Sequence, residues 1–396
     1  MEKTRNFQEE ANVKFKKVIF IVTFSIVLFM ASSPGGKNFP ADIYKGGHVR
    51  FVPEIILDDN SMPEDIFFNS PVSVTSDNKG NIYICDYRAN DIKKFDTSGR
   101  FIKVIGREGQ GPGEFSWPFE AVFAKDRLIV WDMRNRRLCA LTPDGEFIKA
   151  LKITGETGRP QKMRALPNGD IVIGFEKIYF GQPDKPQDYL IEIYSPEMKP
   201  KRAVYFHEIW RNKYIRGDFG LANVPQPFAP LVYWDVSPEG KIIIGYSAQY
   251  EINIYDSSGQ RLSSFTHSYK KVKVTAEDKK LHFEGMTFSR GGAVTQGAPD
   301  FIIKNTKFPK YKPAFNNLLV DSEGNILIHV YPKNRKEMYR YFDAFDPEGH
   351  FMANVQVKGN VLFPSSPWIK IEDGAFWLIK TGEDELIKVI KYRISD

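Results

Sequence analysis

A short phrase recurs about six times along this chain and constrains its fold more than any other feature. It is an apolar strand after a Gly-containing turn, followed by a second Asp-x-x-Gly turn. The clearest copy runs from Asp77-Asn78-Lys79-Gly80 through Asn81-Ile82-Tyr83-Ile84-Cys85-Asp86 and Asp91–Asp96 to Gly99, then Arg100–Gly106. Four strands within about forty residues match the period of a four-stranded propeller blade. The second strand returns as Arg127–Val130, Asp170–Ile173, Lys241–Ile244, Asn325–Ile328 and Ala375–Leu378. Short runs rich in Ile, Val and aromatic residues, bounded by Gly, Asp, Asn and Pro, read as buried strands, because helices need longer stretches. Eight turns, at 77–80, 96–99, 143–145, 167–169, 238–240, 256–259, 321–324 and 347–349, place Asp, Asn or Pro early and Gly late, as hairpins with a left-handed residue require.

A ring of sheets has to close or expose strand edges. The last repeat offers three strands, Trp368–Glu372, Ala375–Lys380 and Glu385–Ile394, and an orphan strand, His48–Leu57, precedes the first repeat. These segments are predicted to share one sheet. The expected fold is therefore an all-β, six-bladed β-propeller spanning 47–396, with an insertion at 267–312. At 396 residues and 42% hydrophobic content the chain has enough apolar side chains for such a core, and 14% aromatic content suits packed sheets. Cys85 and Cys139 fall on strands of neighbouring blades and read as small core residues, with a disulfide between them left open.

Ahead of the propeller, Lys14-Phe15-Lys16-Lys17 precedes the uncharged run Val18–Ala31 and Ser32-Ser33-Pro34. A basic flank before a short apolar core has the form of a signal peptide or signal anchor over 1–34, followed by a linker at 35–46. The expected location is exported, periplasmic or extracellular, with residues 18–31 as the membrane tether if they are retained. A net charge of +6 does not by itself imply a nucleic-acid partner. Between His267 and Lys312, ten Lys or Arg face four acids, which reads as a solvated insertion or an anion-binding patch. Within it, Val274–Phe283 is expected to form a short helix begun by Thr275. Whether the insertion is a packing flap or a lid over the ring's mouth is open.

In the second repeat, Asp132, Asn135, Arg137 and Leu138 lead to Pro143-Asp144-Gly145-Glu146-Phe147, and the link Gly106–Phe115 is rich in Gly and Pro. This stretch resembles the NHL-type six-bladed propellers, especially divergent forms that bacteria export. The first repeat keeps Asp86, Ile92, Phe95, Asp96 and Gly99 but has Ala89 and Asp91 where the family has Asn and a basic residue. The resemblance implies the fold. It also implies two function classes, because some related propellers only bind, whereas lyases and lactonases among them hold a central metal through His or through Glu, Asn and Asp. The glycine-rich link lacks the Gly-Lys-Ser/Thr ending of a phosphate loop and leads into a strand, so it reads as a connector.

Connections on one face are long: 107–117, 175–187, 207–230, 267–313, 330–337 and 359–367. One-sided loop growth marks the face that carries function. That face collects Tyr87, Arg88, Arg107, Trp117, Arg134, Arg136, Trp210, Arg211, Tyr214 and Tyr331 as candidate ligand contacts, with Tyr179, Arg216 and Arg335 nearby. Mixtures of Arg, Tyr and Trp are enriched in binding hot spots. The first reading is a non-enzymatic module that binds a protein, peptide or glycan, without cofactor and without nucleic acid. The alternative is a calcium- or zinc-dependent lyase or lactonase, for which His207, His267 and His329 are the metal candidates among six histidines. No Gly-x-Ser-x-Gly, P-loop or Cys-x-x-Cys element supports another chemistry.

Overall fold

The computed structural model describes residues 41–396 apart from 157, 180–181, 183–184, 218–219, 291–292, 332–338, 359–368, 373–374, 383 and 396. The predicted signal or anchor segment, residues 1–34, lies outside the described residues. Among those described, no helix is long and apolar enough to cross a membrane.

Six blades follow the chain in order. Blade one comprises Pro71–Ser76, Ile82–Asp86, Asp91–Phe95 and Phe101–Ile105; blade two Pro118–Ala124, Arg127–Asp132, Arg137–Leu141 and Phe147–Lys152. Blade three comprises Arg159–Ala165, Ile171–Lys177, Gln187–Tyr194 and Pro200–Ile209; blade four Val232–Val236, Ile242–Tyr246, Glu251–Tyr255 and Arg261–Thr266. Blade five comprises Asn317–Val320, Ile326–Val330, Tyr339–Phe345 and Phe351–Lys358. Blade six takes Ile369–Glu372, Ala375–Thr381 and Ile387–Ser395 from the C-terminal end, and its fourth strand is His48–Leu57. That strand runs antiparallel to the third, pairing Phe51 with Ile394 and Leu57 with Val389. The expected closure is therefore present. Its first residues, His48–Arg50, also pair in parallel with Gln356–Lys358, which joins blades five and six into one eight-stranded sheet.

The first strand of each blade touches the first strands of both neighbours, and this chain of contacts closes from blade six back to blade one. First strands therefore line the axis. Each sheet packs its faces on the adjacent sheets, so six apolar cores lie between blades instead of one at the centre. Cys85 and Cys139 are buried free thiols in the core between blades one and two, and burial pushes the Cys139 thiol up to about 12. All eight predicted turns end on a glycine in the left-handed region, where a Cβ would be strained.

The insertion after blade four forms the helix α1, Ala276–Glu284, a hairpin of Thr287–Arg290 with Ala293–Gln296, and a short helix α2, Asp300–Asn305. Thr275 caps α1 as expected: its side chain accepts from the Asp278 N–H, while the Asp278 carboxylate accepts from the Thr275 backbone. The hairpin and α2 were not apparent in the sequence.

Candidate functional site

The Asp, Asn and Arg that mark the NHL-like repeat form a clasp. Buried Asp132 accepts hydrogen bonds from the Ser116 N–H (2.8 Å), Asn135 Nδ2 (2.8 Å) and Arg137 Nε (2.9 Å). Arg137 donates onward to the carbonyls of Gln110, Gly111 and Glu114, and Asn135 to that of Gly109. The carboxylate thus holds the end of its own strand, the following turn and the incoming link together. In blade one, Asp86 accepts from the Asn69 and Ser70 N–H groups, and Lys93 supplies the positive charge at 3.1 Å. Spacing places the basic residue at position 91, which here is Asp91. The structure moves that role to Lys93, which is buried and also pairs with Asp91 at 2.8 Å.

These clasps bring the link and the turns between second and third strands of blades one and two together into an aromatic shelf. Trp117 ends the link with φ of +66° and remains 37% exposed. Its N–H donates to Asn90 Oδ1 at 2.9 Å, and its carbonyl accepts from the Met133 N–H. Tyr87 meets the Trp117 ring edge-on, with centroids 6.0 Å apart. The Arg134 guanidinium lies 5.3 Å from the Trp117 ring, and Arg88 lies 5.7 Å from the Tyr87 ring while its Nε donates to the Tyr87 hydroxyl at 3.0 Å. Each such cation–π contact contributes roughly 0.5–1 kcal/mol at an exposed site, enough to orient a side chain without locking it. A bulky residue in the left-handed region costs on the order of 1–3 kcal/mol. Of the ten predicted contact residues, the structure brings these four together.

The others are distributed elsewhere. Arg107 is exposed and pairs with Glu114 at 3.0 Å, within the link itself. Arg136 is exposed on the same turn as Arg134, with φ of +54°. Trp210 is 50% exposed after the outer strand of blade three. Arg211, beside it, pairs with Glu176. Tyr214 lies in the hairpin Asn212–Gly217 with Gly220–Pro225, and its side chain is outside the described residues, as is Arg335. Tyr331 is half-buried beneath structural contacts: the Lys312 ammonium sits 5.4 Å from both the Tyr331 and Phe228 rings. Lys312 also forms a buried 2.9 Å pair with Asp278, so this cation of the basic insertion is a tie and not a solvated charge. The insertion packs on the Asn212–Pro225 hairpin, where Val224 and Ile302 are buried beside Phe283, Met286 and Phe301.

The three histidines do not converge, and each lies against aromatic rings. His207 lies 3.9 Å from the Tyr246 ring, and burial lowers its pKa. His267 stacks on Phe351 at 4.7 Å, on the outer strand side of blade four. His329 stacks on Phe342 at 4.9 Å, and its buried Nε2 has no hydrogen-bond partner among the described residues. Burial, aided by the Arg340 charge, draws the His329 pKa down to about 3. No group of three or more His, Cys, Asp or Glu suited to a metal occurs among the described residues.

Two polar clusters escaped the sequence reading. On first strands of blades two, three and four, Arg164 bridges Asp235 (2.8 Å) and Glu120 (3.5 Å), while Lys162 pairs with Asp235 at 3.3 Å and donates to the Trp234 carbonyl. Burial and the Arg164 charge lower the Lys162 pKa to about 8, and the two cations hold Asp235 below the usual carboxylate range despite its burial. The second cluster is at the end of blade three. Buried Glu176 Oε2 accepts from Arg159 Nη2 at 3.4 Å and Arg211 Nη1 at 3.2 Å, and Oε1 has no partner among the described residues. The first cluster joins charged residues of three separate blades, with no motif to mark it. The second joins positions 17 and 35 residues apart, with no motif.

A family model described as a 6-bladed beta-propeller matches residues 63–121, which is blade one and its entry into blade two. No curated protein matches the chain by sequence. Among solved structures, a DUF4221-family member from Bacteroides vulgatus aligns with a TM-score of 0.51 at 12% identity, covering 88% of this chain and 99% of that one. A Bacteroides fragilis protein described as exported aligns at 0.49 and 10% identity, over 88% and 95% of the two chains. Virginiamycin B lyase from Staphylococcus aureus aligns at 0.39 and 11% identity, over 81% and 94%. At these identities the likeness concerns fold alone, and the lyase alignment is too distant to transfer chemistry.

Proposed function

We propose that this protein is an exported six-bladed propeller that binds a protein, peptide or glycan through its loop-rich face, centred on the Tyr87–Arg88–Trp117–Arg134 shelf. One observation carries the reading. Trp117 is a large, exposed aromatic residue held in a backbone conformation that glycine adopts more readily, with Asn90 and the Met133 amide bracing it there. Backbone strain of this kind at a partly exposed residue clusters at binding and active sites. Two guanidiniums and two rings at one junction supply donors, charge and apolar area together, the composition of a binding hot spot.

Export rests on the basic flank and apolar run at residues 14–31. The metal-dependent lyase or lactonase reading needs convergent ligands, and His207, His267 and His329 lie in three separate aromatic stacks.

Glycan-array and cell-envelope binding assays test the proposal, using the full chain and Trp117→Ala and Arg134→Ala variants. A ligand retained by the wild type and lost at least tenfold in both folded variants supports it. If wild type and variants bind identically, the shelf is not the site. Fractionation of the tagged chain checks export, and a cytoplasmic product would refute that part.

A further inference from the structure

We propose that Arg159 and Arg211, braced by buried Glu176, form a receptor for the carboxylate of a small ligand at the loop-rich end of blade three. The blade-one and blade-two clasps define the comparison. There, Asp86 accepts from the Asn69 and Ser70 N–H groups and from Lys93, and Asp132 from the Ser116 N–H, Asn135 and Arg137. Glu176 lies at the same end of the second strand of blade three, one residue past the register position of Asp86 and Asp132, with its side chain fully buried. Among the described residues no backbone N–H donates to it. Two guanidiniums share its Oε2, at 3.4 and 3.2 Å, and Oε1 has no partner among the described residues.

Such a cluster is unbalanced as it stands. Two cations on one carboxylate oxygen leave a charge of +1, and like charges brought together raise each other's energy unless an anion joins them. Each guanidinium has five N–H donors, and the described contacts of each use one. The side chains are 48% and 45% exposed, so the remaining donors are accessible from solvent. Both residues are also held in place. Arg159 stands in register opposite Glu176, and the Arg211 and Asn212 N–H groups donate to buried Gln187 Oε1 at 3.0 and 3.3 Å. A preorganised pair of planar forks matches a planar carboxylate. The site belongs to blade three and the link after it, apart from the Trp117 shelf, and does not depend on the shelf being functional.

Calorimetric titration of the full chain with D-galacturonate and with N-acetyl-alanyl-alanine tests the assignment, with D-galactose and N-acetyl-alanyl-alanine amide as uncharged counterparts. At least one acid is expected to bind tenfold or more tightly than its counterpart. Arg159→Gln and Arg211→Gln are each expected to weaken it at least tenfold with an unchanged circular dichroism spectrum. Arg100→Gln, in a tight turn of the opposite face, is expected to change it less than twofold. Binding of the sugar acid or the dipeptide identifies which source of carboxylate fits. Binding of neither acid, equal binding by the arginine variants, or inorganic phosphate outcompeting both acids would overturn the proposal.

Discussion

Arg137 sets its Nε 2.9 Å from the buried Asp132 carboxylate while its other nitrogens hold three carbonyls of the link from blade one. A sequence signature of the propeller repeat is therefore an electrostatic clasp between one blade and the chain entering it. Because Asp132 is fully buried, removing its cation strands a charge in a low-dielectric site.

Arg137→Ala is expected to destabilise the protein by about 3 kcal/mol, within the range for breaking one side of a buried pair. Urea unfolding measures the loss. Hydrogen exchange should quicken first at the amides of Gly109–Phe115, because that link loses its anchor. A loss no larger than that of an exposed ion pair would show that the clasp is not needed.

Leu57 ends the N-terminal strand and is buried in the core shared by blades six and one, with Phe68, Val74, Trp377 and Val389. Leu57→Ala should cost about 3 kcal/mol, combining lost burial with a residual cavity. Since this strand closes the ring, protection should fall preferentially over 375–394. Uniform loss across all blades would argue against closure as the weak point.

Trp117→Gly separates backbone strain from side-chain use. Glycine relieves the left-handed conformation but loosens the unfolded chain and loses the ring contacts. Stability should stay within about 1 kcal/mol of wild type by denaturation. Ligand binding at the shelf should nonetheless drop at least tenfold.

His329 gives a pH signature. Its folded pKa, near 3, lies below the ordinary value of 6.5, so the unfolded state binds the proton more readily. Stability is therefore lost as pH falls from about 6.5 toward 3, at up to about 1.4 kcal/mol per pH unit. A His329→Gln variant should lack this component, and the stability difference between it and wild type should change over that window. Parallel pH curves would show that His329 does not titrate as its burial requires.

Strand and turn positions were legible from residues 77–80 or 81–84 alone, because alternation and glycine placement are local consequences of backbone sterics. Blade six was legible too, since His48–Leu57 is apolar and otherwise unpartnered. The replacement of a basic residue at 91 by Lys93 was not, because a long side chain can reach the same carboxylate from another register. The hairpin and α2 in the basic insertion were hidden by short, weakly patterned segments that depend on packing against Val224.

The sequence alone determined the repeat, its count, the turn chemistry and the closing strand, all of which arise from patterns within a few residues or from the need to pair edges. Only the tertiary structure decided which polar groups meet. Trp117 acquires its backbone conformation from Asn90 and Met133, and Glu176 gathers Arg159 from an inner strand and Arg211 from a link. Such convergence follows from pairing strands within a blade and packing neighbouring blades together, which places distant positions within hydrogen-bonding reach while leaving no periodic trace in the chain.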